Sequence, residues 1–198
     1  MDELILVRHG ESEYGAKGIL NGDPSVPVGL SARGREQALR LGETLADVPL
    51  DLCVTSSFPR VRETAALALQ GRDVPVEVVR ELDESGFGDY DGGPAEAYRA
   101  WARDAGPADV VPGSSGESRA QMAARWASAY RALVARPERT ILVVAHGLTV
   151  RYLLNAVAGE KPTPVLDDVP TAEPFRVSHA DAARGVDWLE RWCEAPSW

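Results

Sequence analysis

Cysteine and histidine are scarce in this 198-residue chain. The two cysteines, Cys53 and Cys193, lie far apart and form no CxxC pair, so we interpret both as reduced structural thiols. None of the three histidines, His9, His146 and His179, lies at HxH or HxxxH spacing from another, and zinc ligands commonly occur at such short spacings. The sequence therefore predicts no metal site, and it indicates no cofactor.

Basic residues and long apolar runs are also scarce. Lysine and arginine number 21 against 30 aspartates and glutamates, which gives a net charge of −9. A surface of that sign repels a polyanion and argues against a nucleic-acid partner, although a few arginines in one cleft can still attract a small anionic substrate. The longest apolar run, ILVVA at 141–145, is far below the roughly 20 residues of a membrane helix, so a membrane role is also disfavoured.

The chain opens without a basic-then-apolar leader, and its length and composition are typical of one globular domain. We therefore expect a single cytoplasmic domain over residues 1–198. The sequence carries no signal of the oligomeric state.

Short apolar runs alternate with segments of helical periodicity. The apolar runs cover 4–8, 52–55, 76–79 and 140–145, and the helical segments cover 31–46, 58–70 and 117–135. This alternation predicts an α/β three-layer sandwich, with a mostly parallel central sheet and helices on both faces. The stretch 84–116 is rich in glycine and proline and predicts an excursion, or lid, over one end of the sheet. A C-terminal strand and helix are expected at about 175–195.

Two histidines follow predicted strands in the same way. Arg8 and His9 end the first apolar run, and His146 with Gly147 follows the run at 140–145. Ligands of open α/β sheets bind beyond the carboxyl ends of the strands, and a glycine there lets the backbone approach a ligand closely. We therefore expect both imidazoles and Arg8 at one rim of the sheet, in a functional site rather than as scattered structural residues.

Six segments together carry a family resemblance. They are LVRHGES at 6–12, LSARGREQA at 30–38, SSFPRVRETA at 56–65, ELDESGFGDYDG at 81–92, GES at 116–118 and VAHG at 144–147. In their order and spacing, these segments resemble the histidine phosphatase superfamily, the phosphoglycerate-mutase-like enzymes. The resemblance covers roughly residues 3–155, and it implies a phosphoglycerate-mutase-like fold and phosphoryl transfer without a metal.

The resemblance also implies roles for five residues. His9 corresponds to the nucleophile, which must be neutral when the substrate arrives, and His146 to a charged or hydrogen-bonding clamp on the phosphoryl group. Arg8 and Arg60 correspond to phosphate ligands, and a guanidinium offers a planar, permanently charged fork to phosphate oxygens. Arg60 lies in the first turn of its predicted helix, where the helix dipole also favours an anion. Glu84 corresponds to the proton donor.

Two other carboxylates are alternatives to Glu84 as the general acid. Asp83 lies beside it in LDESGFG, and Glu11 follows RHG. Acidic residues in loops are usually solvated, and we expect this for both. A carboxyl group next to a phosphate dianion is protonated more readily, as a general acid requires.

Further positions near these motifs have open interpretations. Ser12 donates to phosphate or caps a loop, and the pair Asn21 and Gly22 lines the site or forms an ordinary turn. Thr64 orients the Arg60 guanidinium or packs. Gly147 is a candidate substrate contact.

Helix-cap and lid positions have their own interpretations. Ser31 and Ser118 are predicted as N-caps. The residues Tyr90, Tyr98, Arg99, Trp101 and Arg103 form a substrate-selecting lid or pack against the body.

Departures from the family pattern bear on the activity. The mutase branch typically continues RHGES with a tryptophan and an asparagine, whereas this chain has Tyr14 and Gly15 after Glu13, so an asparagine phosphate ligand is missing. We therefore predict a metal-independent phosphatase that hydrolyses small phosphomonoesters through a phosphohistidine on His9. The alternatives are a phosphoglycerate-mutase-type phosphotransferase and a catalytically retired binding module.

Overall fold

A five-stranded sheet forms the centre of the computed structural model, which describes all residues from 1 to 198. The strands are β1 (Glu3–Arg8), β2 (Leu52–Thr55), β3 (Val76–Val78), β4 (Thr140–Ala145) and β5 (Pro174–Ser178), in the order β3-β2-β4-β1-β5. All neighbours pair in parallel except β5, which runs antiparallel to β1. The predicted mostly parallel sheet is therefore confirmed.

Six α-helices cover the two faces of this sheet. They are α1 (Ala32–Thr44), α2 (Pro59–Ala68), α3 (Ala95–Asp104), α4 (Arg119–Val134), α5 (Gly147–Ala158) and α6 (His179–Glu194). Alternating residues of β1 separate the two cores: Ile5 and Val7 pack with α1 and α2, whereas Leu4 and Leu6 pack with α4, α5 and α6. This alternation follows from the two-residue period of a strand, and it confirms the three-layer sandwich.

Helix starts follow the predicted caps. The Ser31 side chain accepts from the Gly34 N–H, and Ser118 forms a reciprocal capping box with Gln121. Pro59 occupies the first turn of α2, where its missing N–H leaves no helical bond unmade. These short-range signals place the ends of three helices that border the functional site.

The strand predicted at 76–79 differs from the others. It is shortened to 76–78, and all three of its side chains are exposed, because β3 lies at the sheet edge and pairs only with β2. The charged residue Glu77 inside the apolar run is typical of such an edge.

The excursion at 84–116 packs against the body at a few buried positions. It contains a single 3-10 turn at Gly88–Tyr90 and the helix α3, and Phe87, Tyr98 and Val111 join the larger core. At the other end of the chain lie the expected C-terminal strand and helix, and Trp192 of α6 is buried in the same core. None of the helices combines the length and apolarity needed to cross a membrane.

Candidate active site

The strand order brings distant segments to one edge of the sheet. β1 and β4 are parallel neighbours, with Arg8 opposite Ala145, so His9 and His146 leave the sheet side by side. Their ring centroids lie 5.4 Å apart. Arg60 enters from the first turn of α2, after β2, and Glu84 from the loop after β3. The structure thus brings together all five residues to which the resemblance assigns the chemistry.

His9 is held in one tautomer. Its Nδ1 lies 2.7 Å from the Gly10 carbonyl oxygen, to which it can only donate, and its Nε2 accepts from the Nε of Arg60 at 3.1 Å. Burial lowers the pKa of His9 well below its usual range, and the charges of Arg60 and Arg8 lower it further. The imidazole is therefore neutral near pH 7, with the lone pair on Nε2.

Arg60 lies at the centre of the cluster and is only 4% exposed. Besides His9, its guanidinium donates to the side-chain and main-chain oxygens of Asn21, and it lies 4.4 Å from the centroid of the Phe58 ring. Burial lowers the pKa of Arg60 to about 10, while Glu84 acts in the opposite direction. Arg60 is thus a fixed cation at neutral pH, and each of its three nitrogen atoms donates a hydrogen bond.

His146 is completely buried. Its Nε2 lies 2.9 Å from the Ser56 hydroxyl, and its Nδ1 lies 3.3 Å from Nη2 of Arg60 and 3.4 Å from Oε2 of Glu84. Burial lowers the pKa of His146 well below its usual range, and Arg60 adds to this effect. His146 was expected to act as a charged or a hydrogen-bonding clamp, and the lowered pKa fits the uncharged hydrogen-bonding role.

Glu84 is the carboxylate that faces the imidazoles. One oxygen, Oε1, accepts from the Ser85 N–H at 2.9 Å. The other oxygen, Oε2, lies 3.4 Å from Nδ1 of His146 and 3.7 Å from Nη2 of Arg60. The side chain is 13% exposed and lines the larger cavity. It can therefore reach both the cluster and a ligand.

The two alternative carboxylates serve other contacts. Asp83 accepts from the N–H and the hydroxyl of Ser57, at 2.7 and 2.8 Å. Glu11 accepts from the hydroxyl of Ser31 at 2.8 Å. Both carboxylates fix loops to helix starts, rather than being solvated as expected, and this engagement leaves Glu84 as the carboxylate of the cluster.

Arg8 reaches the site from the other side. Its Nη1 donates to the Val169 carbonyl at 2.8 Å and lies 3.8 Å from Asp168. Its Nε is buried and has no hydrogen-bond partner, so one donor is left for a ligand. A Cβ on Gly147 would lie 3.4 Å from that Nε, and the glycine therefore leaves this side of Arg8 unobstructed.

The less specific sequence positions prove to support the cluster. The Ser12 hydroxyl accepts from the Gly15 N–H, which is the loop-capping role, and Asn21 binds Arg60 as described. A Cβ on Gly22 would lie 2.4 Å from the Ser85 carbonyl oxygen, so the glycine allows the Glu84 loop to approach closely. Thr64 accepts from the Gly10 N–H at 3.1 Å. It therefore anchors the loop of His9 and does not orient the Arg60 guanidinium.

Two cavities adjoin the cluster, and Arg8 lines both. The smaller, of about 180 Å³, is lined by His9 and Ser12 among others. The larger, of about 480 Å³, is lined by Glu84 and Gly147 and by the α3 residues Tyr98, Arg99 and Arg103. Tyr98 thus packs in the core and also lines the cavity. For this residue, packing against the body and a role in substrate selection are compatible.

The charge pattern suits an anion better than a cation. The ligand atoms of His9, Glu84 and His146 all lie within 4.8 Å of one another, a set that could offer three ligands to a metal ion. However, the Arg60 guanidinium donates to His9 and approaches the other two groups. A fixed cation among the three groups opposes a second cation and attracts a phosphate.

Sequence reasoning missed several supporting residues. Ser56, which contacts His146, directly follows the predicted strand at 52–55, and that position could have pointed to it. Asp168 and Val169, which contact Arg8, come from the segment 159–173, where the sequence shows no motif. Their contribution depends on the fold of the whole chain.

The fold and the cluster together define an α/β protein with a histidine-based anion site at the carboxyl edge of its sheet. Residues 4–194 match the family model of the histidine phosphatase superfamily, branch 1. The chain belongs to this superfamily.

Relatives within the superfamily include phosphatases and mutases. The chain is 33% identical over 164 residues to an adenosylcobalamin/alpha-ribazole phosphatase of Escherichia coli strain K12, covering 79% of each chain. It is 32% identical over 210 residues to a 2,3-bisphosphoglycerate-dependent phosphoglycerate mutase of Mycobacterium leprae, covering 87% of this chain and 84% of the other.

A solved structure is similar over most of its length. It is that of a mycobacterial glucosyl-3-phosphoglycerate phosphatase complexed with VO3, with a TM-score of 0.73 and 29% identity, covering 89% of this chain and 92% of the other. The predicted family and fold are thereby confirmed, as is the assignment to the phosphoric monoester hydrolases of this superfamily.

Proposed function

We propose that this hydrolase cleaves phosphomonoesters of small molecules without a metal, through a phosphohistidine on His9, with Glu84 as proton donor. The observation that carries the proposal is the mutual approach of four groups. Arg60 lies 3.1 Å from Nε2 of His9 and 3.3 Å from Nδ1 of His146, and that Nδ1 lies 3.4 Å from Glu84. We place the phosphate beside these groups and next to Arg8, which lines both the cavity of His9 and the cavity of Glu84.

Substrate binding uses donors that are already in position. The phosphate dianion takes over the inward donors of Arg60 and engages the free Nε of Arg8. When the Arg60 Nε donates to a phosphate oxygen in place of His9, the lone pair of His9 Nε2 is released toward phosphorus. Positioning and charge neutralisation of this kind supply most of the catalysis in phosphoryl transfer.

In the first chemical step, Nε2 of His9 forms a bond to phosphorus and the ester P–O bond breaks. The Gly10 carbonyl accepts from Nδ1–H and stabilises the positive charge that develops on the ring. The protonated carboxyl of Glu84 donates its proton to the departing alkoxide. The products are the free alcohol, phosphohistidine and the Glu84 carboxylate.

In the second step, water replaces the alcohol. Glu84 removes a proton from the water, the resulting hydroxide attacks phosphorus, and the N–P bond breaks. Inorganic phosphate leaves, and His9 and protonated Glu84 are restored. Atoms and charges balance over the two steps, and neither step requires a cofactor.

Hydrolysis is favoured over phosphoryl transfer to a second alcohol. Residues Gly15–Lys17 form a 3-10 turn in which the Gly15 N–H binds Ser12. This turn lies where the mutase branch typically carries an asparagine ligand, and it offers no such side chain to the phosphate.

We place the enzyme in the cytoplasm, because both cysteines are free thiols, which suits a reducing compartment.

Activity of two variants on an aryl phosphate, assayed with a chelator present, tests this function. We expect His9→Ala to lower kcat by at least about ten-thousandfold, since it removes the nucleophile. We expect Glu84→Gln to lower kcat by about a hundred- to ten-thousandfold, since it removes the proton donor. His179→Ala, which replaces an exposed histidine outside the site, should keep the wild-type rate.

Retention of the wild-type rate by either active-site variant would remove that residue from the mechanism. Isomerised instead of hydrolysed phosphoglycerate would identify the 32% identical mutase as the better guide to activity. Wild-type protein inactive on every phosphomonoester would point to the retired binding module.

A further inference from the structure

A buried arginine without an acidic partner lines the larger cavity. Arg119, the first residue of α4, is only 8% exposed, and its Nη1 is buried without a hydrogen-bond partner. The other arginines that line this cavity are paired. Arg8 and Arg99 lie 3.8 and 3.7 Å from Asp168, and Arg103 donates to a glutamate at 2.6 Å.

A purely structural role for Arg119 would reduce the stability of the folded protein. A guanidinium does not lose its proton near neutral pH, and a buried charge without a counter-ion opposes folding. An anion that enters the cavity relieves that cost, because Arg119 lines the cavity and has a donor without a partner. Arg119 therefore has the properties of a binding group.

The groups around Arg119 are donors. Its guanidinium lies 5.6 Å from the centroid of the Tyr98 ring, and the buried hydroxyls of Tyr98 and Tyr152 lie close to it. Burial raises the pKa of Tyr98, and raises that of Tyr152 to about 12, while the nearby charge of Arg119 opposes the rise in both. Both hydroxyls therefore remain protonated and able to donate.

The same cavity reaches two of the proposed catalytic groups. Glu84 and Arg8 line it together with Arg119, and apolar side chains such as Leu20 and Phe87 form part of the remaining wall. With a phosphate at His9 and its ester oxygen toward Glu84, the alcohol half of the substrate extends into this cavity. Arg119 then lies beyond the reacting bond, on the side of the leaving group.

We infer that Arg119 is a specificity residue, which binds a second anionic group on the alcohol half of the substrate. This inference rests on the proposed function. The substrate class is a phosphomonoester that also bears a carboxylate or a second phosphate, because the guanidinium fork fits either group. Apolar atoms of the substrate between the two anions contact the cavity wall.

A series of matched substrates tests the inference. Carboxyalkyl phosphates of increasing chain length are compared with their carboxamides, which are neutral and nearly isosteric. Alkanediol bisphosphates are compared with hydroxyalkyl monophosphates. We expect wild-type kcat/KM to favour the anionic member of at least one pair by about ten- to a hundredfold, and the pair that shows this preference identifies the second group as carboxylate or phosphate.

An arginine variant separates binding from packing. Arg119→Met keeps the apolar stem and removes the charge, and the anionic preference should then fall by about tenfold or more, with partial recovery in Arg119→Lys. Arg40→Met, which replaces an exposed arginine 3.9 Å from Glu36, should keep the full preference. Thermal unfolding of each variant shows whether it is folded.

Equal wild-type turnover of every matched pair would overturn the inference, and so would an undiminished preference in folded Arg119→Met. If that variant does not fold, the wild-type series decides alone. Failure of the proposed function is a distinct result, since wild-type protein would then hydrolyse neither member of any pair and would not hydrolyse an aryl phosphate.

Discussion

At the scale of single residues, Arg60 organises the site. Its guanidinium fixes His9 and Asn21 and approaches His146 and Glu84. It is 4% exposed and rests on the Phe58 ring, so packing holds the guanidinium in place. A cation held in this way reduces the reorganisation that the proposed catalysis requires.

The two buried imidazoles predict how stability depends on pH. Their pKa values are lowered well below 6.5 in the folded protein, by burial and then by Arg60. Above pH 6.5 both imidazoles are neutral in the folded and unfolded chains alike, so they make no difference to stability. As the pH falls below 6.5, the unfolded chain takes up two protons that the folded protein does not bind. The free energy of unfolding should then fall by up to about 2.7 kcal/mol per pH unit.

Urea unfolding at several values between about pH 7.5 and pH 5 measures this dependence. Replacing His146 with Gln should roughly halve the contribution of the imidazoles, whereas His179→Gln should leave the pH dependence unchanged. A free energy of unfolding that stays constant over this range in the wild type would show that the imidazoles are not held neutral.

At the scale of elements, the segment 159–173 sets the position of Arg8. The Val169 carbonyl accepts from Arg8, the Ala172 N–H donates to the Arg8 carbonyl, and Asp168 lies 3.8 Å from the guanidinium. Ala172 is the one non-glycine residue with a positive φ, at 55°, a conformation that carries some strain. This segment therefore holds Arg8, the proposed phosphate ligand, and also places a carboxylate beside it that would compete with phosphate.

Removal of that carboxylate should strengthen phosphate binding. In Asp168→Asn, the counter-charge of Arg8 is lost and the repulsion of an incoming dianion is reduced. The Asp168 side chain is 74% exposed, so the effect is modest, with KM for an aryl phosphate lowered about two- to threefold and kcat little changed. Steady-state kinetics at low ionic strength measure it.

Glu36→Gln is the matched control for this prediction. It also removes an exposed carboxylate near an arginine, at 3.9 Å, but on the outer face of α1 and away from the site. An unchanged or raised KM in Asp168→Asn would mean that Asp168 contributes to holding Arg8 more than it competes with substrate.

At the scale of the whole molecule, one part of the site could be predicted from the sequence and another part depends on the complete fold. Arg8, His9 and His146 could be predicted because each lies at or directly after the end of a strand, and parallel neighbours end at one edge. The contact between Arg60 and Asn21 joins residues 39 apart, and that between Arg8 and Val169 joins residues 161 apart. Such contacts depend on loop paths that no local pattern specifies. Arg119 was missed for the same reason, since its buried surroundings include the Tyr98 ring of α3, which is distant in sequence.

The central claim is that the fold directs one phosphoryl group to Nε2 of His9. Rapid alkaline quenching of the wild-type enzyme during turnover of a ³²P-labelled phosphomonoester, followed by peptide mapping, tests it most directly, because phosphohistidine survives base. We predict label on the peptide that contains His9, lost when acid is used for the quench, with none on the peptide that contains His146. Label on another residue, or no label despite pre-steady-state release of the alcohol, would contradict the account.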